Sequence, residues 1–226
     1  MRWSLRVGRT WGLGWLALGI LATFAGPVRA EGPEAAEVPD RFARGHTHVG
    51  ALGGYAFSLE RYDGTRDVDG VRYAAMVSNW GIGLGDPMGG DAWYRGNWEL
   101  LVEGMALFET APGSGHAGGA GLLLRYNWLR HERFVPFVSA GVGILDLDFD
   151  LASQRDGFNF SLQAGVGSHV FVTRRLALTG EWRYQHISNA AIGLPNSGID
   201  MSGFFLGTTW FLNRADKRTP WPRPSG

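Results

Sequence analysis

Three side chains near the C-terminal end of the sequence are of the types that form an acyl-transfer site. His186 and Ser188 lie two residues apart, and Asp200 follows the serine by twelve residues. A histidine can accept the proton of a serine hydroxyl, while a carboxylate orients the imidazole and stabilises its cation. The G-x-S-x-G motif of α/β-hydrolases is absent from this stretch. The three residues therefore indicate ester chemistry on another scaffold.

The elements that would position these residues are extended strands. From about residue 46 to residue 211 the sequence alternates apolar and polar residues with a period of two, and it is rich in glycine and aromatic residues. This pattern is typical of β-strands with two different faces. Eight such segments can be counted, at 46–60, 70–84, 94–109, 118–129, 134–146, 157–172, 175–188 and 199–212.

The length of the segments distinguishes a membrane barrel from a soluble sandwich. Trp98 and Phe108 lie on one face of the third segment, ten residues apart. At about 3.3 Å per residue they are roughly 33 Å apart along the strand, or roughly 25 Å along the normal of a tilted barrel. That height and the aromatic residue at each end match the apolar band of an outer-membrane barrel. The sequence predicts an all-β fold, an eight-stranded antiparallel transmembrane β-barrel.

The alternation also predicts which way the three chemical side chains point. In the seventh segment the even-numbered residues are largely apolar, and the odd-numbered face is polar, as expected for the lumen. His186 and Ser188 are even-numbered and should therefore face the lipid. Polar groups cost free energy on that face unless they have partners, which makes both residues candidates for function. Asp200 has the parity of Phe204 and Leu206, so it should lie beside His186 if those residues face lipid.

The rest of the chain divides into segments of different composition. Residues 1–30 have a basic start, an apolar stretch and a small-residue end, as in a cleaved signal peptide. A polar leader at 31–44 precedes the barrel at 45–213, and 214–226 is a basic, Pro-rich tail. These features predict an exported chain in the outer membrane of a Gram-negative bacterium.

Composition excludes several kinds of chemistry. The chain has no cysteine, which removes disulfides, thiol catalysis and thiolate metal sites. The formal net charge is zero, so nothing favours binding to nucleic acid. Asp146, Asp148 and Asp150 share one face and could bind a divalent cation, but a position beyond the membrane edge or pairing with arginines such as Arg155 explains them more simply. Their parity matches the apolar Val142 and Ile144, so a bulge or the membrane boundary must come between. No metal site is predicted.

The segments RYQHISNA (183–190) and PNSGID (195–200) resemble the PagL-type lipid A 3-O-deacylases, a family of eight-stranded outer-membrane barrels. Members carry a His-x-Ser-Asn motif and an outward-facing Ser-His-acid triad. The likeness extends over the layout of the barrel, but specific residues match only within 182–200. It places the family's histidine and serine on His186 and Ser188, and its two asparagines on Asn189 and Asn196. The family's acid is a glutamate, whereas the matching residue here is Asp200, which is one methylene shorter.

The resemblance implies hydrolysis of the 3-O-linked hydroxyacyl ester of lipopolysaccharide in the outer leaflet, without a cofactor. Ser188 would be the nucleophile, His186 the base and Asp200 the orienting acid. The oxyanion would be bound by Asn189, Asn196 or backbone N–H groups around Ala190. The implied partners are lipid A and outer-membrane lipids, and a homodimer is left open. Two alternatives also stay open: a non-enzymatic structural or adhesive barrel, and another outer-membrane lipid esterase, phospholipase or acyltransferase.

Overall fold

The computed structural model describes residues 41–59, 70–149 and 151–212. The predicted signal peptide, the leader up to residue 40 and the C-terminal tail lie outside these ranges. Eight antiparallel strands pair in chain order, and β1 also pairs with β8, which closes the barrel. The strands are β1 (Thr47–Ser58), β2 (Arg72–Gly83), β3 (Gly96–Ala111), β4 (His116–Trp128), β5 (Phe134–Asp148), β6 (Gly157–Phe171), β7 (Leu176–Ser188) and β8 (Ile199–Phe211). The predicted eight-stranded antiparallel barrel is confirmed.

Helices contribute little to the described ranges. Within these ranges, no helix is both long enough and apolar enough to cross a membrane.

The barrel has two rims, which we name by the connections that they carry. The upper rim carries the described residues 59, 70–71, 112–115, 149, 151–156 and 189–198. The lower rim carries residues 41–46 and the turns at 84–95, 129–133 and 172–175. The end of the predicted leader closes the lower rim: Phe42 is fully buried and packs edge-on against Phe171 and Phe211. The upper rim holds the end of β7 and the start of β8, where the chemical residues lie.

Most strand ends differ from the prediction by one or two residues, and the ends around the β3–β4 hairpin and at the end of β5 are the informative ones. The hairpin between β3 and β4 is shorter than expected, because the Glu109 carboxylate accepts the backbone N–H groups of Gly113 and Gly115 at 3.1 and 2.9 Å. Strand β5 continues without a change of register, to Asp148 against β4 and to Leu147 against β6, so Asp146 and Asp148 extend the outward face at the upper rim. Asp150 lies outside the described residues.

Asp148 approaches a histidine rather than further acids. Its Oδ2 lies 3.8 Å from Nδ1 of His116, and both side chains are more than half exposed. Within the described ranges, no group of three or more His, Asp or Glu side chains is arranged to hold a metal ion.

The interior consists of two apolar layers separated by a layer of ions. Sixteen residues form the upper apolar cluster, including Tyr73, Ile187 and Ile199, and a smaller cluster around Phe42 fills the lower end. Between them, Arg183 of β7 bonds both oxygens of Glu103 at 2.8 and 2.9 Å and reaches Glu181 at 3.0 Å. The Gln163 side chain accepts a further bond from Arg183 at 2.9 Å. All four side chains are buried, and the hydrogen bonds between them supply the partners that buried charges require.

The outer face is apolar and has aromatic residues near both rims. Exposed aromatic side chains near the upper rim are Tyr55, Phe57, Phe108, Phe158 and Phe160, and those near the lower rim include Trp80, Trp98 and Phe134. Trp98 and Phe108 both point outward from β3, as the alternation predicts. An apolar band between aromatic girdles is the outer surface of a membrane barrel.

The Arg183 ion network should dominate barrel stability. Arg183→Met would leave Glu103 and Glu181 buried without their cation, so we expect a loss of about 3–5 kcal/mol in the free energy of unfolding. Urea-induced unfolding in detergent micelles, followed by the heat-dependent gel shift of barrels, measures this loss. The control is Arg130→Met in an exposed lower turn, which should change stability by no more than about 0.5 kcal/mol. Equal midpoints for the two variants would contradict the assignment.

Candidate active site

The site is built around one cross-strand pair on the outer face of the barrel. His186 of β7 and Asp200 of β8 are direct partners in the ladder. The imidazole Nδ1 and the carboxylate Oδ1 are 2.7 Å apart. Directly opposed residues have Cβ atoms about 4.5–5.5 Å apart, so an aspartate is long enough to reach the ring. The predicted proximity of the two residues is therefore found in the structure.

The carboxylate is more enclosed than the imidazole. The side chain of Asp200 is 10% exposed and that of His186 is 26% exposed. The Tyr184 hydroxyl donates a second hydrogen bond to Oδ1 of Asp200 at 2.6 Å. Because Nδ1 faces the carboxylate, Nε2 is the nitrogen of His186 that remains to act on another group.

Ser188 lies on the same outward face, at the end of β7. It is half-buried, and its partner on the neighbouring strand is Phe160 of β6. No hydrogen bond between Ser188 and His186 occurs among the described residues. Asp200 and His186 are therefore joined by a short hydrogen bond. Ser188 lies on the same outward face but is not hydrogen-bonded to His186.

A tight turn follows the serine. The Ile192 N–H donates to the Asn189 carbonyl at 3.0 Å. The two central residues, Ala190 and Ala191, have φ angles of 52° and 62°. This left-handed conformation is costly for residues with a Cβ. The Asn189 side chain is buried and helps to hold the turn, because its Nδ2 donates to the Gly193 carbonyl at 2.9 Å.

The second predicted asparagine, Asn196, lies at the base of the same connection. Its Oδ1 accepts the Asn189 backbone N–H at 2.9 Å and a bond from Gln154 at 3.3 Å. Both bonds involve the oxygen, which leaves Nδ2 of Asn196 as a donor. Asn189 and Asn196 are thus linked to each other and border the serine.

Gln154, from the connection between β5 and β6, anchors this loop from outside. It is buried, its Oε1 accepts the Gly198 N–H at 2.9 Å, and its Nε2 donates to Asn159 at 2.7 Å. The two connections also exchange backbone bonds, from Arg155 N–H to the Pro195 carbonyl and from Ser197 N–H to the Ser153 carbonyl. The loop is therefore fixed at several points.

Gly198 is required for two separate reasons. Its φ angle is +73°, which favours glycine. A Cβ at this position would lie 2.9 Å from Cε1 of His186. A side chain at this position would therefore crowd the edge of the imidazole, and glycine leaves room for the ring.

Sequence reasoning did not identify Gln154, Gly198 or Tyr184 as parts of the site. Tyr184 could have been found, because it shares the outward parity of His186. Gln154 and Gly198 carry no such signal, since their roles depend on how two irregular loops meet.

The fold and the site together define a class of protein. A closed eight-stranded barrel with an apolar, aromatic-edged outer face is an outer-membrane β-barrel. This one carries a hydrogen-bonded His–Asp pair on its outer face. Residues 72–209 match the family described as Lipid A 3-O-deacylase (PagL). Since the match covers more than half of the chain, the chain belongs to this family.

One relative and two solved structures are similar to this chain. The Lipid A deacylase PagL of Bordetella bronchiseptica (strain ATCC BAA-588 / NCTC 13252 / RB50) is 33% identical over 117 residues, which span 48% of this chain and 62% of that relative. Among solved structures, Neisserial surface protein A has a TM-score of 0.51 at 14% identity, covering 74% of this chain and 97% of its own. The outer membrane enzyme PagL has a TM-score of 0.47 at 17% identity, covering 71% and 97%. These two likenesses concern the fold alone.

Removing the Gln154 amide should loosen the loop beside the serine. In Gln154→Ala the Gly198 N–H loses its acceptor, so we expect its amide hydrogen exchange to accelerate roughly tenfold or more. Gln185→Ala is the matched control, because Gln185 is also buried but bonds Tyr73 and Ser161 inside the barrel. Exchange measured by mass spectrometry in detergent micelles compares the two. Equal exchange at Gly198 in both variants would show that Gln154 does not anchor the loop.

Proposed function

We propose that this chain is an ester hydrolase that removes the 3-O-linked hydroxyacyl chain of lipid A in the outer leaflet. The observation that carries the proposal is the 2.7 Å bond between His186 and Asp200 on the outer face of a barrel of this family. A buried lumen filled with side chains offers no route to a bulky lipid. An outward site receives its substrate by lateral diffusion in the membrane.

The proposed mechanism uses Ser188 as nucleophile. Asp200 accepts a hydrogen bond from the Nδ1–H of His186, which keeps the proton on Nδ1 and leaves Nε2 as the base. Catalytic hydrogen bonds often tighten only in the complex with substrate, so we propose that the contact between Ser188 and Nε2 forms when the ester binds. Ser188 Oγ then attacks the carbonyl carbon as its proton passes to His186. That proton goes to the departing sugar hydroxyl, and water releases the fatty acid in the second half-reaction.

The oxyanion requires N–H donors that no other group occupies. The Asn189 backbone N–H is engaged by Asn196, and the Asn189 side chain donates to Gly193. We therefore assign the oxyanion to Nδ2 of Asn196 and to the backbone N–H of Ala190, and give Asn189 the task of supporting the turn. This choice follows from the bonds that each group already makes.

The location of the site follows from the same proposal. We propose that residues 1–30 direct export as a cleaved signal peptide, which leaves both barrel termini in the periplasm. The upper rim then lies at the cell surface, level with the sugar and ester groups of lipopolysaccharide. The apolar residues beside the site on β6, Phe160 and Leu162, are exposed and contact the membrane interior.

Lipid A from a Gram-negative host that expresses the chain tests the proposal. Mass spectrometry should show loss of one hydroxyacyl chain with the unmodified protein. Ser188→Ala should abolish the loss, because removing a serine nucleophile lowers kcat by roughly 10⁴-fold or more. The matched control is Ser168→Ala, a half-buried outward serine on β6 far from the upper rim, which should keep full activity.

The same experiment separates the alternative functions. Intact lipid A from all strains, with the barrel folded in the outer membrane, would support a structural or adhesive protein. An added acyl chain would indicate an acyltransferase, and lysophospholipid with intact lipid A would indicate a phospholipase. Retained activity in Ser188→Ala would show that another group is the nucleophile.

Gly198→Ala should damage catalysis more than folding. The new Cβ would press on the His186 ring, 2.9 Å from Cε1, and we expect activity to fall roughly 10- to 100-fold because the base is displaced. Gly157→Ala is the control for backbone strain: Gly157 has φ +90°, but nothing lies within 4 Å of its Cβ position. Both variants should lose about 1 kcal/mol of stability. A similar loss of activity in both would assign the effect to strain alone.

A further inference from the structure

We propose that Tyr184 is a positioning residue for the acid of the site: its hydroxyl holds the Asp200 carboxylate against His186. The inference rests on the proposed function and adds a fourth side chain to it. Tyr184 lies two residues before His186 on the outward face of β7. Neither the family match nor the relatives assign it a role.

The geometry places two donors on one oxygen. The Tyr184 hydroxyl is 2.6 Å from Oδ1 of Asp200, and His186 Nδ1 is 2.7 Å from the same atom. The direct ladder partner of Tyr184 is Ser202, not Asp200. The phenol therefore leans diagonally along the face, over a distance that a long aromatic side chain can span.

The neighbouring residues explain why the phenol bonds to the acid. Ser202 is buried, and its hydroxyl accepts the Trp182 indole N–H at 2.9 Å. Trp182 leans along the same diagonal as Tyr184, since its own direct partner is Phe204. The indole of Trp182 and the phenol of Tyr184 thus make parallel diagonal contacts, the first to Ser202 and the second to Asp200.

An aspartate on this face benefits from the second donor. The Asp200 side chain lies on the outward face of β8 and is only 10% exposed, so an ionised carboxylate there loses most of its hydration. A hydrogen bond to the charged form favours ionisation. It also fixes the rotation of the carboxylate so that Oδ1 faces Nδ1. Besides Tyr184, His186 and Asp200, the outward faces of β6, β7 and β8 carry no titratable side chain.

The test is Tyr184→Phe, which keeps the ring and removes only the hydroxyl. We expect kcat for lipid A deacylation to fall about tenfold with KM little changed. The acid limb of the pH–rate profile should move to higher pH, because a carboxylate that loses a donor is protonated more readily. Tyr55→Phe is the matched control: Tyr55 is also outward near the upper rim, and its hydroxyl bonds Thr110 at 3.0 Å. It should leave both kcat and the pH profile unchanged.

A double-mutant cycle shows whether Tyr184 acts through the acid. In an Asp200→Asn background, Tyr184→Phe should cause no further loss, and the heat-dependent gel shift confirms that each variant is folded. A tenfold loss that persists in that background would overturn the inference, as would full activity and an unshifted pH profile in the single variant. If the unmodified chain itself releases no acyl chain, the proposed function fails and this inference fails with it.

Discussion

The buried ion network of Arg183 is the interaction on which the outward site depends. Arg183 and His186 lie on opposite faces of β7, so a slip of one residue would exchange them. Such a slip would place Arg183 and Glu181 in lipid, where each charge costs several kcal/mol. Glu103 binds Arg183 from β3, across the lumen. The interior charges thus fix the register that directs His186 and Ser188 outward.

The outer face shows how polar groups can be placed where the membrane excludes water. Several polar groups along the seam between β7 and β8 bond across the two strands: His186 and Tyr184 bond Asp200, and Trp182 bonds Ser202. The bonds offset the cost of desolvation, and they also orient the imidazole. The hydrogen bonds between β7 and β8 therefore serve both stability and the proposed chemistry. This dual role explains why the polar residues follow one another along the seam.

The sequence predicts the regular part of the structure well because a period of two decides both strand and face. It predicts eight strands and the outward orientation of His186, Ser188 and Asp200. It does not predict Gln154, because the loop that carries this residue meets Gly198 only in three dimensions. The alternation of residues also leaves open whether a bulge precedes Asp146 and Asp148, because only the pairing of β5 with β4 and β6 shows whether the register shifts. The contacts between irregular loops are therefore visible only in the structure.

The turn after Ser188 explains how an open site can still be rigid. The proposed site faces lipid and has no walls around Ser188, so its geometry must come from the local backbone and its hydrogen bonds. Ala190 and Ala191 adopt a left-handed conformation that costs of order 1 kcal/mol or more per residue. Bonds from Asn196, Gln154 and Gly193 hold the turn in that conformation from both sides. Strain concentrated at one turn and opposed by several hydrogen bonds keeps the Ala190 N–H in place, as its proposed role as an oxyanion donor requires.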